Sequence, residues 1–201
     1  MRRTRLLFAA AALLVACTPL KLPQAESQRT FLLDAQPPAA QQPARHDLAL
    51  AVGETRAWPG FDGAAMAYTR RANEIEYFAR NRWAEPPARM ISPLVAQALE
   101  RSGVFRAVVR ARGQAAAELR LDTELMRLLQ DFRAQPSRVE LALHAQLVDL
   151  RNGRVLAAQD FALSENAPSD DPYGGVVAAN RALARLLGEL TAFCAAHAPA
   201  R

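Results

Sequence analysis

The sequence predicts an α+β domain: a mainly antiparallel sheet with two main helices packed on one face, after an N-terminal signal peptide. Three observations predict it. Around residues 119–125 and 139–147 apolar and polar side chains alternate, the period of half-buried strands. Two other segments, opening at Pro86-Pro87 and near Gly174, repeat apolar residues every three or four positions, the period of amphipathic helices. The order strands, helix, strands, helix fits helices segregated onto an antiparallel sheet.

The leader comes first. Arg2, Arg3 and Arg5 precede an apolar run from Leu6 to Ala16, which together read as a secretory signal peptide. The run is about half the ~20 residues that a spanning helix needs. It is apolar all round, whereas a cytosolic helix would bury one stripe. The tetrad Leu14-Val15-Ala16-Cys17 resembles the lipobox of bacterial lipoproteins. That resemblance implies cleavage after residue 16 and acylation of Cys17, with residues 17–27 as acylated cysteine and tether and residues 28–201 as one domain.

Arg29 to Leu33 reads as a first strand, and a Pro-rich loop from Ala35 to Arg45 follows. Leu48, Leu50 and Val52 alternate as a second strand. Ala64–Arg70 and Glu74–Arg80 read as two strands around a turn at Arg71-Ala72-Asn73. In the first helix Ile91, Leu94, Val95, Ala98 and Leu99 share one face. Pro93 is expected near the helix start, or Ser92-Pro93 is itself the cap and first position. Gly103 supplies the left-handed stop. Phe105–Arg110 is a strand, then the alternating segments form a meander with a tight turn at Asn152-Gly153. Asp170-Asp171 precedes the last helix, Gly174 to about Ala196, where acidic side chains cap.

Composition excludes little but points away from nucleic acid. The net charge is +5, yet three of the 25 basic residues are Arg2, Arg3 and Arg5, so the chain after the leader carries only about +2. No Lys/Arg cluster makes a nucleic-acid footprint. Cys17 and Cys194 are the only cysteines. With Cys17 acylated no intramolecular disulfide forms. Leu183, Leu187, Leu190 and Cys194 share a helix face, so Cys194 reads as a small buried hydrophobe.

A catalytic set does not emerge, and no metal or cofactor is expected. His46, His144 and His197 are far apart in sequence, without metal-ligand spacing. No G-x-S-x-G, H-E-x-x-H or phosphate-cradling glycine loop occurs. Glu74 and Glu76 straddle Ile75 and could point to one face, but a solvated sheet face is the commoner arrangement.

The phrase Arg82-Trp83-Ala84-Glu85-Pro86-Pro87, followed by Leu94, Leu99 and Ser102-Gly103-Val104-Phe105, resembles the ABC-type transport auxiliary lipoprotein family. Phe31-Leu32-Leu33, Tyr68, Leu147-Val148-Asp149, Gly153-Arg154-Val155, Phe161 and Ala178-Ala179-Asn180 also fit. Phe31 stands where a tyrosine is common in the family. The resemblance implies a non-enzymatic lipoprotein beside an ABC transporter that moves lipid between membranes. Its partner would be an MCE-domain protein, and its anchor would hold it to the outer membrane, facing the periplasm. Thr18 after the cysteine lacks the aspartate that retains enteric lipoproteins at the inner membrane.

Tyr68, Arg70, Arg71, Tyr77, Arg82 and Trp83 concentrate aromatic and arginine side chains, the types enriched in binding hot spots. They are the expected partner-binding residues, although Trp83 could equally lock the first helix onto the sheet. Two other functions stay open: a lipid carrier, which needs a large apolar pocket, and an envelope hydrolase, which needs a clustered acid, base or nucleophile.

Overall fold

A computed structural model describes residues 27–36, 45–110 and 117–199. The strands are β1 (Arg29–Phe31), β2 (His46–Val52), β3 (Arg56–Ala57), β4 (Ala65–Thr69), β5 (Glu76–Trp83), β6 (Phe105–Arg110), β7 (Leu119–Asp131), β8 (Arg138–Asp149) and β9 (Arg154–Asn166). The helices are α1 (Pro87–Ser102) and α2 (Pro172–His197). The fold is α+β, with one large sheet.

β7 organises that sheet. Along one side it pairs antiparallel with β8 from Leu119↔Asp149 to Asp131↔Arg138, and β8 pairs antiparallel with β9. Along its other side three short strands lie end to end, all parallel to it: β2 at Leu119–Leu121, β3 at Glu124–Leu125 and β4 at Leu129–Asp131. β6 extends the sheet beyond β2, in parallel, and β1 extends it beyond β5, also in parallel. The antiparallel meander carries most of the paired residues, as alternation predicts. The parallel half was not anticipated, because alternation reports which face is wet and not which neighbour a strand meets.

The sequence explains why these elements form. Leu119, Leu121, Leu125, Leu141, Leu143 and Leu147 sit on the dry face and are buried, while Arg120, Asp122, His144 and Gln146 line the other face. Thr123 shares the dry face, and its hydroxyl meets that of Thr55 at 2.8 Å, so both buried groups are satisfied. In β2 the alternation fails: Ala49 and Ala51 are buried as well as Leu48, Leu50 and Val52.

α1 begins at Pro87, with Pro86 as its cap residue and no side-chain cap. Ser92-Pro93 is therefore interior, not the cap. Proline at the first helical position loses nothing, since that N–H has no helical partner anyway. Ile91, Val95, Ala98 and Leu99 form its buried stripe. Gly103, at φ 66, ends the helix in the left-handed region. α2 begins at Pro172, two residues before Gly174, because the Asp171 carboxylate caps it by accepting from Gly174 N at 2.7 Å. Asp170 does not cap the helix; it accepts from Ser137 N at 2.6 Å and ties the β7–β8 turn to the helix start. Leu183, Leu186, Leu187, Leu190 and Cys194 are buried along α2. The two helices touch each other and both touch β7.

Asn180 on α2 holds the N-terminal segment. Its carbonyl accepts from Asp34 N at 2.7 Å, and its amide donates to Leu32 O at 3.4 Å. Ala84 N then donates to Phe31 O at 2.8 Å, which fastens β1 to the end of β5.

Candidate functional site

The β4–β5 hairpin carries all six expected partner-binding residues on its strands and turn, with Trp83 closing its second strand. The turn works because Asn73 takes φ 62, a conformation asparagine tolerates better than most residues. Cross-strand pairing sets Tyr68 opposite Glu76. The Tyr68 hydroxyl donates to Glu76 at 2.7 Å, and the Arg70 guanidinium lies 5.0 Å above the Tyr68 ring and 3.8 Å from Glu76. The bond to Glu76, then burial, raises the Tyr68 pKa above its ordinary value. Phe78 and Phe132 complete the cluster, with ring centroids 4.4 and 5.8 Å from that of Tyr68.

These residues divide by exposure. Tyr68 and Trp83 are buried, at 9% and 4%. Trp83 sits at the end of β5 and shares a small apolar cleft with Met66, Phe78 and Ala179 of α2. There it braces the sheet against α2. Arg70, Arg71, Tyr77 and Arg82 are exposed. Arg71 receives a hydrogen bond from the Thr69 hydroxyl at its backbone oxygen, which leaves its side chain to solvent. Arg82 Nε donates to Trp83 O at 3.3 Å. Tyr77 is next to Glu76 on the strand, so it points to the opposite face from Tyr68. There its hydroxyl donates to Gly60 O at 3.1 Å. Trp58 and Ile75, which the sequence reading passed over, are also exposed. A tryptophan beside Pro59-Gly60 was the available signal, since a turn seldom buries a large ring.

Cys17 lies outside the described residues, as do the leader and most of the tether. Cys194 is fully buried, and burial pushes its thiol pKa up to about 12. It behaves as a core side chain.

The remaining polar groups are dispersed. His144 pairs with Asp160 at 2.6 Å across β8 and β9 on the open face. His46 and His197, distant in sequence, both reach the end of α2, where each ring bonds a backbone oxygen, of Ala195 and Phe193 respectively. Glu74 precedes β5 and Glu76 is engaged by Tyr68, so the two do not act as a carboxylate pair. Among the described residues no group of three or more His, Cys, Asp or Glu could hold a metal ion. No described helix is long and apolar enough to cross a membrane.

Two clefts bear on lipid binding. One, of about 470 Å³, lies between α1 and the ends of β2 and β6, lined by Glu54, Thr55, Glu85, Arg89, Ser92 and Arg110. Charged side chains share its lining with the apolar Val52, Ala88 and Pro93, so it is not the mainly apolar pocket that an acyl chain needs. The apolar cleft beside Trp83 holds only about 10 Å³, roughly one water's worth of room.

Known proteins share this arrangement. Protein XCC0632 from Xanthomonas campestris superposes with a TM-score of 0.77 at 20% identity, over 84% of this chain and 95% of that one. The hypothetical protein CT253 from Chlamydia trachomatis superposes with a TM-score of 0.52 at 10% identity, over 76% of this chain and 98% of that one. At such identities the likeness is one of fold. A Bradyrhizobium diazoefficiens protein, bll6063, is 30% identical over 115 residues, which are 56% of this chain but only 30% of that longer protein. The family-wide sequence pattern is decisive: residues 31–191 match it, and the chain belongs to the ABC-type transport auxiliary lipoprotein component family.

Proposed function

We propose that this protein is a non-enzymatic adaptor, anchored by acylated Cys17 and facing the periplasm from the outer membrane. It docks an MCE-domain protein of an ABC-type lipid transport system. The match of residues 31–191 to the transport auxiliary lipoproteins carries the reading. The dispersed polar groups and the absence of a metal-holding group among the described residues favour an adaptor over a hydrolase. The small volume of the apolar cleft favours it over a lipid carrier.

The exposed arginines Arg70, Arg71 and Arg82 form the docking surface, with Tyr68 and Trp83 behind them as supports. Two experiments test the reading. Cys17→Ser should shift the protein out of the membrane pellet and abolish palmitate labelling; labelling that persists refutes the anchor. Arg71→Ala and Arg82→Ala should weaken co-purification of the MCE-domain protein, by ~30-fold in affinity if each is a hot spot. Unchanged co-purification by both folded variants places the partner elsewhere.

A further inference from the structure

Three exposed large hydrophobic side chains belong to two segments that touch, the turn after β3 and the start of β5. Trp58, Ile75 and Tyr77 are 49%, 44% and 45% exposed. Gly60 joins them: a β-carbon built on it would lie 3.5 Å from the Tyr77 hydroxyl and 3.8 Å from Ile75 Cδ1. Phe61 N donates to Trp58 O at 3.0 Å and closes the turn that presents Trp58. Gly60, at φ 90, lets that turn lie over Ile75 and Tyr77. A fold that buries Leu50, Ile91 and Leu143 completely leaves these three in water. Clustered exposed apolar groups mark a contact surface.

The direction of β1 says what the patch meets. β1 runs parallel to β5 with Arg29 opposite Asn81. The chain ahead of Arg29 therefore leaves toward the end of β5 that bears Tyr77 and Ile75. From Asn81 back to Tyr77 the strand spans at most ~13 Å. Cys17 lies roughly 12 residues before Arg29, a reach of at most ~40 Å. The described chain therefore begins, at residue 27, on the side that leads toward the patch, and the residues between it and Cys17 keep the domain within that reach of whatever holds Cys17.

We propose that Trp58, Ile75 and Tyr77 form a bilayer-contact surface that seats the domain on the phospholipid headgroup layer beside its own anchor. This rests on the reading of Cys17 as acylated. Tryptophan and tyrosine suit the headgroup layer, where an apolar ring meets lipid and a polar tip meets water. Trp58, Ile75 and Tyr77 carry no formal charge. The contact is therefore mainly apolar and only weakly dependent on salt. It need not be strong alone, because tethering makes the second contact intramolecular. Its role is orientation: it fixes which side of the domain faces away from the membrane.

The test uses the full chain purified from its own membrane and reconstituted into phosphatidylcholine vesicles, with ordinary or brominated acyl chains. Trp58 and Trp83 are the only tryptophans, and Trp83 is in the core. Brominated lipid should quench the Trp58 share of the emission, because an interfacial ring lies beside the acyl chains, while Trp83 in the core keeps emitting. Trp58→Phe should abolish the drop. Ile75→Ser with Tyr77→Ser should reduce it while flotation and the acyl mass on Cys17 stay unchanged. An acylated, floating chain whose emission ignores bromine overturns the patch and leaves the anchor standing. A chain with no acyl mass that does not float overturns both. Trp58 emission that responds to added MCE-domain protein but not to bromine assigns the patch to a protein partner and overturns the lipid proposal.

Discussion

Gly175 in the first turn of α2 packs against the Gln130 side chain of β7 so closely that a β-carbon there would stand 2.3 Å from Gln130 Oε1. Gln130 is 3% exposed. Its amide donates to the Ser137 hydroxyl at 2.9 Å and to Asp171 O at 3.2 Å, while Oε1 accepts no hydrogen bond among the described residues. The side chain cannot swing aside without giving up both bonds. The missing side chain at Gly175 is what allows α2 to start flush on the sheet.

Gly175→Ala should therefore destabilise the domain by about 1–3 kcal/mol, the usual range for overpacking. The ~1 kcal/mol that alanine gains over glycine within a helix is too small to reverse the sign. Thermal melts should show a loss of about 2–4 °C per kcal/mol. In a Gln130→Ala background the same substitution should cost clearly less. Additive losses in that double-mutant cycle would show that the two residues do not interact.

Asp149 sets an acid-side limit on stability. Its carboxylate accepts from Arg151 Nε at 2.9 Å, from an Arg151 terminal nitrogen at 2.6 Å and from Arg151 N at 2.9 Å. The side-chain bond to Arg151 is the main cause that holds its pKa at about 2. The unfolded value is about 3.9. The folded pKa is the lower one, so the stabilisation is present above pH ~4 and is lost as pH falls toward 2. Asp149→Asn should lower the melting temperature at pH 7, and the gap to the parent should close between pH 4 and 2. A gap that stays constant over that range would mean that the charge is not what matters.

Cys194 should resist modification. With its thiol buried and its pKa raised to about 12, almost none is thiolate at pH 8. Native protein should leave Cys194 unlabelled by iodoacetamide at that pH, and guanidinium should expose it. Peptide mass spectrometry separates its signal from that of Cys17. Rapid labelling of Cys194 in the native state would contradict its place in the α2 core.

Trp83 and Tyr68 should fail as binding probes, because they fail first as structure. Truncating a buried aromatic side chain typically costs about 3–5 kcal/mol. Trp83→Ala and Tyr68→Ala should lower the melting temperature by several degrees or more, whereas Arg71→Ala and Arg82→Ala should shift it little. A Trp83→Ala variant as stable as its parent would overturn its role as a brace between β5 and α2.

Much of this fold was legible because the decisive signals are local. The alternation in β7 and β8 follows from successive side chains pointing to opposite faces, so it appears in the sequence itself. Gly103, Gly153 and Asp171 mark ends and turns through their own backbone or side-chain chemistry, although β8 and β9 are joined by residues 150–153 and not by Asn152-Gly153 alone. The buried stripe ending in Cys194 is read from helical spacing alone.

The candidate surface was legible only in part. The hairpin that carries Tyr68, Arg70, Arg71 and Tyr77 was visible, but which members face water was not. Cross-strand register with Glu76 sent Tyr68 inward, and its neighbour Tyr77 consequently faces the other way.

By itself, the sequence determined the α+β class, the meander, the two helices with the stop at Gly103, and the family. These depend on periodicity, on turn chemistry and on residue phrases that need no distant partner. Only the tertiary structure decided that β2, β3 and β4 lie end to end along one side of β7, and that β1 joins β5 in parallel. It also decided between the two tryptophans: Trp83 is buried beside α2, and Trp58 is exposed. Burial is set by which distant element arrives over a side chain, and that contact spans far more of the chain than any local pattern can record.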